Sequence, residues 1–152
     1  MDVAGKLQEL GITLAPAQAP VASYAPVVVS GNLAFVSGQI ARKGDHVLYK
    51  GNLVGGPVSA DQGAQVAREC TISAFAVLQA AGLLDRVVRV VKVTGYVAST
   101  PTFLDQAKVV NGASDLLMQV FGDAGRHART SVGVPVLPLG APVEIDFIFE
   151  IA

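Results

Sequence analysis

The segment that ends the chain constrains the fold more than any other feature. From Val143 to Ile151, apolar and polar residues alternate with a period of two, as side chains do on the two faces of a β-strand. One face carries Val143, Ile145, Phe147, Phe149 and Ile151, and the other carries Glu144, Asp146, Ile148 and Glu150. Five apolar side chains in register predict a sheet covered by helices on one side, with Glu144 pointing away from that core.

The N-terminus predicts an appendage ahead of the main domain. Asp2 can cap a short helix that ends at Gly11, and residues 15–20 form an extended, proline-containing connector. Polar residues interrupt the apolar ones here, which argues against a signal peptide. We therefore predict an N-terminal helix and connector over residues 1–20 and one globular domain over residues 21–152.

The first half of the domain predicts a hairpin and a long helix. Segments 26–29 and 33–37 are rich in β-branched or aromatic residues, with small polar residues between them, and 46–49 predicts a third, short strand. Ser59-Ala60-Asp61-Gln62 has the form of a capping box. Apolar residues then recur at helical spacing up to Gly82, which predicts a long amphipathic helix.

The second half predicts a strand, a helix and a closing pair of strands. Residues 86–97 have the pattern of a central strand, and a helical region runs from Thr100-Pro101 to about Phe121, with a kink near Asn111-Gly112. The predicted strand faces are Val88, Val90 and Lys92 on one side and Val87, Arg89, Val91 and Val93 on the other. The order ββ(β)αβαββ predicts an α+β fold, with two helices packed on one face of the sheet.

Composition narrows the choice of partners. The formal net charge is −1 and charged residues make up 15% of the chain, so there is no basic excess to bind phosphate backbones or anionic lipid. Apolar runs are too short for a membrane helix. A single cysteine, Cys70, cannot form an internal disulfide, and the two histidines are too few for a zinc site. We expect a cytoplasmic protein with no metal, membrane or nucleic-acid partner.

Arg129 and Glu144 are the candidate pair for chemistry. Arg129 begins a predicted strand and offers a planar fork for a carboxylate, while Glu144 on the next strand could orient water. On residue types and spacing alone, a structural ion pair is the favoured interpretation. His127 shares a strand face with Arg129, but it is interpreted as a surface-loop histidine, and Cys70 as a buried small residue.

Three separated motifs change this balance. Residues 31–40, GNLAFVSGQI, resemble the GNLxFVSGQI segment of the RidA/YjgF family of reactive-intermediate deaminases. Residues 128–132, ARTSV, then Leu137-Pro138 and Val143-Glu144-Ile145, resemble the ARSxV…LP…VEIE ending of that family. The resemblance runs from Tyr24 to the C-terminus, and three motifs in the right order are much more specific than any one of them.

The resemblance implies a fold, an assembly and a reaction. The fold is chorismate-mutase-like (ferredoxin-like), and the assembly is a homotrimer with active sites in the clefts between subunits. Arg129 would hold the substrate carboxylate and Glu144 would direct water, and the further substrate-binding positions are Tyr24, Ser37, Asn111 and Ser131. The implied reaction converts 2-aminoacrylate and related 2-enamine or 2-imine acids to a 2-keto acid and ammonia without a cofactor.

Some positions depart from the family pattern and leave alternatives open. Ser131 stands where several members have cysteine, Ala25 follows Tyr24 where serine is usual, and the N-terminal helix and residues 122–127 look like additions. One alternative is an endoribonuclease activity, which is also attributed to members of this family. Another is a non-catalytic protein that holds a small carboxylic acid in the same cleft.

Overall fold

Five strands form the sheet around which the chain is organised. The computed structural model describes residues 1–20 and 22–152, so residue 21, the predicted start of the domain, lies outside the described part. The elements in chain order are α1 (Val3–Glu9), β1 (Val27–Ser30), β2 (Leu33–Ile40), β3 (Arg42–Lys43), β4 (His46–Val47), α2 (Ala60–Ala80), β5 (Val87–Ala98), α3 (Gln106–Phe121), β6 (Ala128–Val134) and β7 (Val143–Ile151). The sheet order is β1-β2-β7-β5-β6, and only β5 and β6 pair in parallel. The predicted mixed α+β fold is confirmed.

Strand β7 lies at the centre of the sheet and behaves as its sequence predicts. Its residues alternate between buried and half-buried along the whole strand. The rings of Phe147 and Phe149 stack with their centroids 5.8 Å apart, under the helices. Glu144 lies on the opposite face, which confirms the predicted orientation of that strand.

Strand β5 corrects the predicted assignment of its faces. Its pairing with β7 shifts register twice, between Val87 and Arg89 and between Val90 and Lys92. Each irregularity adds a residue to the strand and turns the following side chains over. Val87, Val90 and Val93 are therefore all buried on the helix side. The predicted alternation, which placed Val90 on the opposite face from the other two, is wrong.

Helices α2 and α3 pack against each other and cover one face of the sheet. The predicted capping box is confirmed: Ser59 Oγ accepts from the backbone N–H of Gln62 at 3.1 Å, and Gln62 Oε1 accepts from the backbone N–H of Ser59 at 2.9 Å. Together these bonds satisfy two amide groups that the first turn of α2 would otherwise leave unpaired.

Helix α3 differs from its prediction at its start and its middle. It begins at Gln106, because Thr100 is held in a turn by a bond from its N–H to the carbonyl of Val54 at 3.0 Å. It also continues without a break through Asn111-Gly112, so the predicted kink is wrong. A side chain at Gly112 would overlap the backbone of Ala64, so this glycine permits close helix contact.

Two small elements flank the main layers. Helix α1 is capped by Asp2, whose Oδ1 accepts from the N–H of Gly5 at 2.8 Å, and it buries Val3 and Leu7. The strand predicted at 46–49 is shorter than expected and pairs with β3 in a separate hairpin. It ends early because Tyr49 adopts a left-handed conformation, with φ of 53°.

The second face of the sheet carries apolar side chains with no helix over them. Val28 and Phe35 lie directly opposite each other on β1 and β2 and are 55% and 41% exposed. Phe35 pairs in turn with Ile148 at the centre of the sheet. We call this surface, together with Tyr96 and Glu144, the open face. Within the described residues, none of the helices has the length and hydropathy needed to cross a membrane.

Candidate active site

Arg129 is anchored at the start of β6 by one face of α3. Its Nη1 donates to Asn111 Oδ1 at 2.7 Å and to Ser114 Oγ at 3.1 Å, and its Nη2 donates to the carbonyl of Ala107 at 3.3 Å. Residues 107, 111 and 114 are neighbours on the helix surface because they are spaced by four and three. Pairing of Arg129 with Val93, which is buried under the helices, places the arginine on the helix-covered side of the sheet.

The guanidinium of Arg129 has no carboxylate beside it among the described residues, and one of its edges is left for a ligand. All three of its acceptors are neutral, and it takes no part in the ion pairs formed among residues 1–20 and 22–152. Both N–H groups of Nη1 and one of Nη2 have acceptors, so Nε–H and the second N–H of Nη2 remain for a ligand. A structural ion pair with Glu144 is therefore not formed, and the remaining edge suits a bidentate carboxylate.

His127 lies in the loop before β6, as interpreted from the sequence, but it is half-buried beside Arg129 and not on the surface. Its Nε2 lies 2.8 Å from Ser114 Oγ, and its Nδ1 lies 2.6 Å from the carbonyl of Gly125. Burial lowers the pKa of His127, and the nearby charge of Arg129 lowers it further, against the opposing effect of the Gly125 carbonyl. The ring is therefore neutral at neutral pH.

Ser131 follows Arg129 by two residues on β6 and so shares its face of the sheet. Its Oγ is buried and has no hydrogen-bond partner in the part of the chain that the structure describes. A buried hydroxyl without a partner costs free energy, and a ligand that bonds to it would recover that cost. Asn111, Arg129 and Ser131 therefore form one group, together with Ser114 and His127. We call it the arginine group.

Glu144 lies on the open face against a glycine of β2. Its carboxylate occupies the space where a side chain at Gly38 would stand, with Cδ 3.0 Å from that position. Burial raises the pKa of Glu144, and the neighbouring Asp146 raises it further. A carboxyl group whose pKa moves toward neutrality can both take a proton from water and return it.

Asp146 shares the open face with Glu144 and sets part of its electrostatics. Burial raises the pKa of Asp146 too, although bonds from Tyr96 and Thr94 and the charge of Lys92 oppose the shift. The hydroxyl of Tyr96 lies 3.4 Å from Asp146 Oδ2. The open face therefore places two carboxylates together, with the positive charge of Lys92 near Asp146.

Tyr24 and Ser37 lie near Gly38, at the same end of β2. Ser37 Oγ donates to the carbonyl of Ala25 at 2.7 Å, which fastens the segment before β1 to β2. Tyr24 is 49% exposed and lines, together with Gly38, a cavity of about 280 Å³ beneath the N-terminal connector. Residues of α2 also line this cavity and Glu144 does not, so the structure does not bring Tyr24 against that carboxylate. Gly38 and Glu144, with Ser37 next to Gly38, form a second group, which we call the glutamate group.

One chain does not bring these two groups together. Arg129 is in register with Val93 and Glu144 with Tyr96, and β6 and β7 lie on either side of β5. Two strand spacings across and three residues along the strand give a Cα separation of about 14 Å. The two side chains also leave the sheet on opposite faces, so a substrate would contact both only between chains.

Ser114 and Gly38 complete the two groups, and the sequence analysis missed both. Ser114 lies three residues after Asn111, so helical spacing could have placed it on the same face of α3. Gly38 lies within the SGQI motif, but a glycine shows no sign of the carboxylate that fills its missing side chain. The acceptor supplied by Ala107 is a backbone carbonyl, which no sequence pattern marks.

Comparison with known proteins gives the family. The profile of the family described as "YjgF/chorismate_mutase-like, putative endoribonuclease" matches residues 4–151. The chain belongs to the YjgF/chorismate-mutase-like family. It is 46% identical over 151 residues to Protein TCP17 of Trypanosoma cruzi, covering 98% of this chain and 94% of that protein.

Several solved structures of this family share the fold. The Atu1372 protein of unknown function from Agrobacterium tumefaciens is 43% identical with a TM-score of 0.90, covering 99% of this chain and 92% of that one. A putative endoribonuclease from Shewanella oneidensis is 30% identical with a TM-score of 0.92, covering 98% and 99%. RidA from the Antarctic bacterium Psychrobacter is 25% identical with a TM-score of 0.61, covering 89% and 94%.

Proposed function

We propose that this protein hydrolyses reactive 2-enamine and 2-imine acids, such as 2-aminoacrylate, to a 2-keto acid and ammonia without a cofactor. The observation that carries the proposal is the Arg129 guanidinium, which is held by neutral acceptors and has a donor edge left for a carboxylate. Likeness to a protein named RidA and the raised pKa of Glu144 support it. A cytoplasmic location remains a prediction.

The proposed reaction needs a base that returns its proton. An enamine acid first becomes an imine when a proton moves from its nitrogen to its terminal carbon. Glu144 then takes a proton from water as the water oxygen adds to the C=N carbon, and it delivers that proton to nitrogen. As the C–N bond breaks, the proton of the remaining hydroxyl passes to the leaving nitrogen, so that ammonia departs and the keto acid forms. Arg129 holds the carboxylate throughout.

The proposed active form is a homotrimer in which the arginine group of one copy meets the glutamate group of the next. The separation of the two groups within one chain supports this arrangement, because one chain alone does not place both groups against the same substrate. The exposed apolar side chains of the open face, Val28 and Phe35, are suited to an interface. We expect sedimentation at micromolar concentration to give three times the monomer mass, and a monomer would refute the shared site.

The test of function separates binding from turnover. Arg129→Ala should abolish binding of pyruvate, a stable 2-keto acid, and Arg129→Lys should restore little, because a point charge does not reproduce the fork. Glu144→Gln should keep pyruvate binding and slow keto acid release from an enamine generated in situ, by roughly a hundredfold or more. Arg126→Ala is the matched control, since Arg126 pairs with Asp123 on the surface. If Arg129→Ala binds pyruvate normally, the carboxylate site is wrong.

A further inference from the structure

His127 belongs to a directed chain of hydrogen bonds that ends at Arg129. A backbone carbonyl can only accept, so the contact with Gly125 fixes the proton of the neutral ring on Nδ1. Nε2 is then an acceptor, and the hydroxyl of Ser114 donates to it at 2.8 Å. Ser114 Oγ turns its lone pairs to Arg129 Nη1 at 3.1 Å. In this series of hydrogen bonds, each donor therefore faces an acceptor.

The orientation of Arg129 depends on the direction of these hydrogen bonds. Ser114 is buried at 8% exposure, and its hydroxyl proton needs an acceptor. Without His127, the hydroxyl of Ser114 would lose this acceptor and would rotate to direct its proton elsewhere. The oxygen of Ser114 would then no longer present its lone pairs to Nη1. The arginine would lose one of the three contacts that set its orientation.

We propose that His127 is a positioning residue, which acts through Ser114 to keep the Nε and Nη2 edge of Arg129 turned toward the substrate carboxylate. The proposal rests on the proposed function, in which that edge binds the carboxylate. His127 does not touch the substrate, because Ser114 and Gly125 occupy both of its ring nitrogens. The lowered pKa of the His127 ring agrees with this arrangement, since a protonated ring would place a second cation beside the guanidinium.

The experiment compares a set of variants in the full-length protein. His127→Phe keeps a ring of similar size but removes the acceptor, while His127→Gln offers an amide oxygen to Ser114. We expect His127→Phe to weaken pyruvate binding and raise KM roughly five- to tenfold, the effect of one lost hydrogen bond, with little change in kcat. His127→Gln should restore most of the affinity. If His127→Gln binds as poorly as His127→Phe, ring packing and not the acceptor is responsible, and the proposal is wrong.

A double substitution tests whether His127 acts through Ser114. Ser114→Ala removes the intermediate, so adding His127→Phe to it should cost no further affinity. Two losses that multiply would mean that His127 influences the site by another route, which would overturn the proposal.

A readout without ligand separates this proposal from the proposed function. In ¹⁵N-labelled protein we expect the neutral His127 ring to carry its proton on Nδ1, and the Nη groups of Arg129 to rotate slowly. His127→Phe should speed that rotation, and His127→Gln should not. If unaltered protein fails to bind pyruvate, the proposed function falls, but this measurement still decides whether His127 positions Arg129. If the Nη groups of Arg129 rotate at the same rate in His127→Phe as in unaltered protein, the positioning role of His127 is refuted.

Discussion

Substitution of Gly38 by alanine should move the Glu144 carboxylate without breaking the fold. An added methyl carbon would overlap Glu144 Oε1 and stand 3.0 Å from Cδ and 3.2 Å from Cγ, closer than ordinary contact. These atoms belong to the far end of a flexible side chain, so the carboxylate can swing away while the backbone stays in place. The required displacement of the carboxylate is roughly 1 Å or more.

The expected cost falls on turnover and not on stability. A misplacement of about 1 Å at a reacting group costs on the order of a hundredfold in rate, so Gly38→Ala should lower kcat by about that factor. The free energy of unfolding should change by less than about 1 kcal/mol, because alanine also restricts the unfolded chain. The assays are keto acid release from an enamine generated in situ and urea unfolding of the same preparation.

Gly56 supplies the matched control for this prediction. A methyl group there would meet its nearest atoms at 3.4 and 3.5 Å, which is ordinary contact, and its backbone is not left-handed. Gly56→Ala should therefore retain both kcat and stability. If Gly38→Ala keeps the kcat of the unaltered protein, either the carboxylate does not need its observed position or Glu144 is not the water-directing group.

Three further outcomes follow from the same structure. The pKa of Glu144 is raised in the folded protein, so its charged form is less favourable there than in the unfolded chain. The free energy of unfolding therefore falls as the pH rises above 4.5, the ordinary pKa of a glutamate. Glu144→Gln should therefore be more stable than the unaltered protein in urea at pH 7, and the two should converge below about pH 4; equal stability at both pH values would contradict the raised pKa. Gly112→Ala should destabilise the fold by about 3 kcal/mol, because its methyl group would overlap the backbone of Ala64, and an unfolding midpoint matching Gly56→Ala would refute this. RNA should bind weakly, with little dependence on salt, given a net charge of −1; a tight complex at physiological salt would instead favour the endoribonuclease alternative.

Several elements could be predicted because their signals are local. The capping box of α2 and the alternation of β7 each depend on residues a few positions apart, and both are confirmed. The faces of β5 could not be predicted, because its irregularities are set by pairing with β7, a strand distant in the sequence. Gly112 carries the same ambiguity, since a glycine in a helix predicts a break unless the neighbouring helix is known.

Part of the candidate site could also be predicted from the sequence, and part of it could not. Arg129 and Glu144 were found from residue type and from resemblance to a family, but their contacts were not. The chain Arg129–Ser114–His127 joins a helix to a strand, and the direction of its hydrogen bonds follows from a backbone carbonyl at Gly125. Sequence patterns identify a charged group, but they do not show whether a carboxylate or a neutral oxygen stands beside it.

The sequence by itself determined the order of the elements, the buried face of β7 and the family to which the chain is related, because these depend on periodicity and on short motifs. The tertiary structure decided that Arg129 and Glu144 leave the sheet on opposite faces, with β5 between their strands. The physical reason is that the facing of a side chain depends on strand pairing and register, which are fixed when distant segments meet. The sequence alone therefore does not show whether Arg129 forms an ion pair with a carboxylate, and the tertiary structure shows that it does not pair with Glu144.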